Sequence, residues 1–561
     1  MRSPFMKNPR KRKHAACRQS AGAGGIYGKR HGDGDDTDKH AGQRRPAGRA
    51  AVMGGSRLRK SLLNARVNVI FYFLSLFFAF FSRRIFLDCL GAEFIGLTGI
   101  LGNILGYLNL AELGIGAAVS FFLFKPLSRG DREEISEVVS LFGYLYRRVG
   151  LFILAAGVIV SLFFPLMFSG EDLPIGIVYF AFFSFMGSAL ISYFINYRQI
   201  LLTADQKNYI VAIYFQSAGL LKTALQIFLA YNYKNLYAWV AVEFVFSVIS
   251  CVVLNRKINA EYPWLRTDVS AGKALLRKYP AIIANTRNVF VHKIKDFLLT
   301  KSDEIMVFAF VSLKMVAYYG NYTMVINKIL LLFKAAMDGV GPGVGNLVAE
   351  GDIRNTMKVF WELSAIRHFI AGLVVFAVFM LIEPFIALWL GPQYVLDRTI
   401  LVLLMVYQYI AQSRDVVDTF IYAHGLYADT WSAWLELALN LSVTIVCGIM
   451  YGIVGILLGK IVSTVVVIVL WKPYYLFTSG LKRRAGEYWS GALRFYAVSA
   501  VSFFAARALA SLVHISVATF GGLIAYAACI VTIYLVINVP LLCVFCKGSK
   551  DCIVRLKRMW K

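Results

Sequence analysis

From about residue 60 onward, long apolar runs alternate with short charged loops. About 20 apolar residues in a helix cross a hydrocarbon core of ~30 Å, and fourteen runs approach or exceed that length. Six lie near 67–87, 94–124, 149–169, 175–200, 208–230 and 236–254. Six more lie near 286–311, 315–347, 366–390, 396–422, 431–450 and 452–475, and a last pair near 491–512 and 517–546. The pattern predicts an all-α integral membrane protein of about fourteen transmembrane helices.

The second run is the least lipid-like. Asn103, Asn109 and Glu112 interrupt it, and Gly96, Gly99, Gly102, Gly106, Gly114 and Gly116 thin one side. Small residues let membrane helices approach closely, and polar ones prefer a protein interior to lipid. This helix is expected to face other helices beside a hydrated cavity. Charge then sets the orientation. Loops after even-numbered runs carry most of the Lys and Arg, among them Lys125, Arg129, Lys257, Arg277, Arg354 and Lys482, whereas loops after odd-numbered runs hold only Lys234, Lys314 and Arg398. By the positive-inside rule both termini are expected in the cytoplasm.

Composition agrees: 58% of the 561 residues are hydrophobic and 16% are charged, against ~25% charged in a soluble domain. The net charge of +27 sits in loops between apolar runs, a pattern of membrane orientation and not of a nucleic-acid face. Residues 1–52 hold 13 Lys and Arg against 4 Asp and no periodic apolar pattern, so a disordered basic tail is expected, with Met53 as an alternative start. The cysteines are scattered, and no P-loop, metal-ligand set or cofactor motif appears. A repeat is visible. Gly99 and Gly320 stand at the same offset as Gly130-Asp131 and Gly351-Asp352, which overlays run two on run eight.

Ionisable residues inside membrane spans are costly, so they mark candidate sites. Run seven carries Arg287, Lys293 and Lys295, and run eight Lys328. Arg287 and Lys295 lie close to one face of a helix. As unpaired cations these would attract phosphate; as partners of Asp296 or Asp303 they would be structural. Arg83 and Arg84 suit either the same role or snorkelling to the outer interface. Lys334 with Asp338 and Arg414 with Asp418 are spaced to pair along a helix. Gln408, Gln412 and Asp415 form one stripe of run ten, suited to sugar hydroxyls or to helix–helix hydrogen bonds. Glu112, Asp303 and Asp415 are candidates for ion coupling.

The stretch Leu87–Arg132 also carries a resemblance. Its segments Leu90-Gly91-Ala92-Glu93-Phe94-Ile95-Gly96-Leu97, Ala111-Glu112-Leu113-Gly114-Ile115-Gly116 and Lys125-Pro126-Leu127 resemble the second-helix region of bacterial Wzx-type polysaccharide flippases. These belong to the multidrug/oligosaccharidyl-lipid/polysaccharide (MOP) exporter superfamily. The likeness extends to about Leu166 and beyond that rests on topology. It implies a transporter and not an enzyme, with no cofactor. The expected organisation is a tail 1–60, six-helix lobes 61–258 and 259–480, and a helix pair with a basic tail at 481–561. It further implies a bacterial cytoplasmic membrane location and a polyprenyl-pyrophosphate-linked oligosaccharide as substrate, flipped to the outer leaflet by alternating access. Membrane lipid and polysaccharide polymerase or ligase machinery are the implied partners. A cation-coupled small-molecule exporter of the same superfamily is the alternative, and a membrane-embedded glycan polymerase or transferase a more distant one.

Overall fold

The structure, a computed structural model, describes residues 47–112, 114–283, 286, 302–337, 340–426 and 429–559. The chain divides after Ser56, and Arg57–Lys561 forms one compact unit. Within it the described residues are helical with connecting turns. In chain order the main helices are α1 (Leu63–Leu90), α2 (Ala92–Leu108), α3 (Ile115–Arg129), α4 (Arg132–Ser161), α5 (Ile175–Phe194), α6 (Asn208–Tyr233) and α7 (Leu236–Glu261). They continue as α8 (Leu313–Met337), α9 (Val340–Ala349), α10 (Ile353–Trp389), α11 (Arg398–Ala423), α12 (Thr430–Tyr451), α13 (Ile453–Gly480), α14 (Ala485–Ala510) and α15 (Phe520–Phe545). Eleven of the described helices are long and apolar enough to cross a membrane. This is an all-α, multi-pass membrane protein.

The remaining expected crossings have physical reasons for standing apart. Run two is split between α2 and α3, separated by a 3-10 turn over Asn109–Glu112. Run eight is shared by α8 and α9, and polar Lys314, Lys328 and Lys334 lower the apolarity of α8. Most of run seven lies outside the described residues, which resume as a helical stretch at 302–310. The third crossing starts well before residue 149. Its first turns bury Ile135, Val138, Val139 and Phe142 behind an exposed charged face, so the apolar count there understates the helix.

The repeat is visible as geometry. Gly130 and Gly351 both take left-handed backbones, with φ of 72° and 74°, where a side chain would be strained. Asp131 and Asp352 follow as N-caps, accepting from the Glu134 amide at 3.0 Å and the Arg354 amide at 2.9 Å. The same turn thus starts α4 and α10.

A tight seam joins α2 to α8. A Cβ at Gly96 would collide with the Leu313 carbonyl, and Gly99 lies against Val316 and Glu304. Arg83 of α1 donates to Asn321 at 2.7 Å and to the Ala317 carbonyl at 3.2 Å, beside Gly320. Phe168 stacks on Phe308, with ring centroids 4.9 Å apart, and the Leu313 amide donates to Glu171 at 3.1 Å. The pair α14 and α15 packs on α10 through Phe376, Ala506, Ile530 and Tyr534.

Candidate functional site

Helices α11 and α13 wall two cavities of opposite character. The polar cavity, about 670 Å³, collects Tyr407, Gln408, Gln412 and Asp415 from α11 and Lys460, Ser463, Thr464 and Lys472 from α13. Asp303, Glu304, Tyr319, Asn327, Lys334, Glu436, Asn440 and, from α2, Asn103 complete it. Amides and hydroxyls on this scale suit a hydroxyl-rich ligand, which needs both donors and acceptors.

Its charges are mostly paired. Lys460 is bound to Asp303, and its ammonium lies 4.5 Å from the centroid of the Tyr407 ring. Asp415 is bound to Arg367 of α10. Arg414 stands 3.8 Å from both Asp418 and Glu436, and Lys472 stands 3.9 Å from Asp418. The Asn103 amide donates to Glu304 at 2.6 Å, linking α2 to the 302–310 stretch. Acidic side chains (Asp303, Glu304, Asp415, Asp418, Glu436) are at least as numerous as basic ones among the described lining residues. The described lining therefore shows no excess of positive charge.

The apolar cavity, about 480 Å³, lies on the other side of the same helices. Val402, Met405, Val406 and Ile410 of α11 and Val465 and Val469 of α13 face Val375, Phe379 and Phe503. Among its few polar groups, Tyr409 donates to Ser499 at 2.7 Å and lies 2.9 Å from the Nδ1 of buried His368. Both walls are irregular where the cavities adjoin. The helix of α11 is interrupted at Arg414, and α13 passes through a π-helical segment at Val465–Trp471. Such interruptions change the phase of the side chains along a helix.

The structure thus brings Gln408, Gln412 and Asp415 together in one cavity, as their shared stripe indicated, and adds Asp303 to them. It sets the other candidates elsewhere. Lys328 lines a separate apolar cavity of about 360 Å³ between α1, α8, α10 and α15, its ammonium 5.7 Å from the Tyr72 ring centroid. Arg83 does not snorkel; it is turned into the α8 seam, where it bonds Asn321 and the Ala317 carbonyl. Arg84 is exposed, 3.8 Å from Asp88. Glu112 sits in the α2–α3 break, hydrogen-bonded by tyrosines. Arg287, Lys293 and Lys295 lie outside the described residues. Sequence reasoning missed Lys460 and Glu304. A lone Lys within the apolar run LLGKIVSTV was the available signal for the first, and nothing local marks the second.

These features define a helical membrane protein with an internal polar chamber beside an apolar one. Among solved structures, the fold is similar to that of the lipid II flippase MurJ in an inward closed conformation, at 13% sequence identity and a TM-score of 0.59, covering 84% of this chain and 98% of that one. An inward-facing multidrug resistance MATE family transporter of the MOP superfamily matches at 14% identity and a TM-score of 0.49, covering 72% of this chain and 94% of that one. Neither a protein-family model nor a curated protein sequence matches the chain. The likeness to MurJ is one of fold, an all-α multi-pass membrane architecture of the kind expected from the Leu87–Arg132 resemblance.

Proposed function

We propose that the chain flips a polyprenyl-pyrophosphate-linked oligosaccharide from the cytoplasmic to the outer leaflet of a bacterial cytoplasmic membrane, for cell-surface polysaccharide synthesis. The observation that carries this reading is the pair of unlike cavities across one wall, in a fold shared with a lipid flippase. A glycan needs the amides and hydroxyls of the polar side, and a prenyl chain needs the apolar side. The pyrophosphate would compete with carboxylates for Lys460, Arg414 and Lys472, joined by Arg287, Lys293 and Lys295 of run seven. Alternating access would rock the lobe 61–258 against the lobe 259–480, with both termini cytoplasmic and the α2–α8 seam closing the outer side. The helix pair and tail of 481–561 would complete the apolar cavity, and polymerase or ligase machinery would receive the product.

A leaflet-resolved analysis of cells lacking the protein tests this. Lipid-linked glycan should accumulate on the cytoplasmic leaflet, and an unchanged distribution would overturn the proposal. One observation favours a second reading, a cation-coupled small-molecule exporter: carboxylates are at least as numerous as cations in the described lining of the polar cavity, so it would not repel an organic cation. In that case the same cells would retain a cationic dye while their lipid-linked glycan stayed normally distributed.

A further inference from the structure

The crossing from Ala92 to Arg129 is not one helix. It breaks at the 3-10 turn Asn109–Glu112 and at Gly114, whose φ of 97° no regular helix contains. Inside this break both oxygens of Glu112 accept hydrogen bonds from hydroxyls. Tyr146 of α4 donates to Oε1, and Tyr193 of α5 donates to Oε2 at 2.6 Å. The Tyr193 hydroxyl also lies 3.2 Å from the Asn109 side-chain oxygen. Two helices are thus tied to the break through one carboxylate.

The surroundings set Glu112 apart from the other carboxylates within the crossings. Asp303 has Lys460, Asp415 has Arg367, Glu243 has Lys222 at 2.6 Å, Glu383 has Arg398 at 2.6 Å, and Glu436 has Arg414 at 3.8 Å. Glu304 is held by an amide but opens on the polar cavity, where Lys460 also stands. Around Glu112, among the described residues, the titratable groups facing it are Tyr146 from α4 and Tyr193 from α5, and its own strand of chain adds the Asn109 amide. Arg147 is exposed, and Arg148 lies over the Tyr144 ring, 4.9 Å from its centroid. No described cation neutralises this carboxylate.

We propose that Glu112 is a proton-binding site that operates the break between α2 and α3. Ionised, the carboxylate is an acceptor only, and each oxygen holds one tyrosine hydroxyl. Protonation turns one oxygen into a donor. The tyrosine on that oxygen is left with a poorer, neutral acceptor or must reverse, and the other bond changes from charge-assisted to neutral, roughly half as strong. The break is thereby loosened from α4 and α5. Glu112 stays partly exposed, so a proton can reach it. On the transporter reading, the consequence reaches the seam, because α2 carries both Gly96 against Leu313 and the Asn103 bond to Glu304. A proton at Glu112 frees the element that holds the two halves of the chain together.

Hydrogen exchange and infrared spectroscopy on the purified full chain test this without any transport assay. On acidification, amide exchange across 105–120, corrected for intrinsic chemistry, should rise about tenfold, as expected for loss of one hydrogen bond to a charged group. A protonated-carboxyl band should appear, and Glu112→Gln should remove it while exchanging at the acidified rate at every pH. Should that variant fail to fold, Tyr146→Phe with Tyr193→Phe should exchange at neutral pH as the acidified parent does. Exchange that ignores acidification, or a carboxyl band that persists in Glu112→Gln, overturns the proposal. Either result would leave the proposed substrate untouched, and a failed leaflet analysis would leave this site untouched.

Discussion

The two cavities share α11 and α13 yet have opposite solvents. On one face of α11 Gln408, Gln412 and Asp415 meet amides, hydroxyls and ion pairs; on the other, Val402, Val406 and Ile410 meet aromatic and branched side chains. A single amphipathic helix in a membrane normally divides lipid from protein. Here the polar face is turned to a protein-lined cavity, which is why polar residues survive in a crossing of such mean hydropathy. The difference teaches that charge in the polar cavity is held by partners, whereas the apolar cavity depends on fit.

Breaking that contrast should hurt the polar side most. Asp303→Asn leaves the Lys460 ammonium buried without its partner, and such a break costs ~3–5 kcal/mol. Thermal unfolding of the purified variant should show the loss, and Asp303→Leu with Lys460→Met should recover most of it. A single variant as stable as the parent would mean that water already screens the pair.

The apolar side should respond to volume. A Cβ at Gly372 would collide with the Tyr534 hydroxyl, so Gly372→Val should overpack this wall at ~1–3 kcal/mol. Tyr409→Phe, which removes the bonds to Ser499 and His368 but keeps the ring, should cost ~1 kcal/mol in the same measurement. If both variants are neutral, the apolar cavity is loosely packed and the contrast weakens.

How much of this was legible follows from the same contrast. Periodicity showed the crossings, and the i, i+4 spacing of Gln408 and Gln412 was enough to put a polar stripe on α11. The turn shared by Gly130-Asp131 and Gly351-Asp352 was also readable, because glycine and a capping aspartate are local demands. Pairing was not. Lys460 and Asp303 are far apart in sequence, and inspecting the runs one by one leaves out partners that only tertiary packing supplies. Arg83 misled for a related reason: an Arg near a helix end looks like an interfacial anchor until packing brings it the Asn321 side chain and the Ala317 carbonyl of α8.

The smallest stability effect should carry the largest functional one. Gln408→Leu with Gln412→Leu changes the wall of a wet cavity and should shift stability by no more than ~0.5 kcal/mol. It should nevertheless slow the transfer of glycan, since it removes donors and acceptors that the sugar would use.

The most direct test of the central claim is therefore translocation itself, with purified protein in lipid vesicles and a fluorescent polyprenyl-pyrophosphate-linked oligosaccharide. The fraction of label reachable by an impermeant quencher is followed with time. The wild-type chain is expected to equilibrate the label between leaflets, with the Gln408→Leu, Gln412→Leu protein much slower at equal stability. A wild-type rate no faster than that of protein-free vesicles would contradict the account.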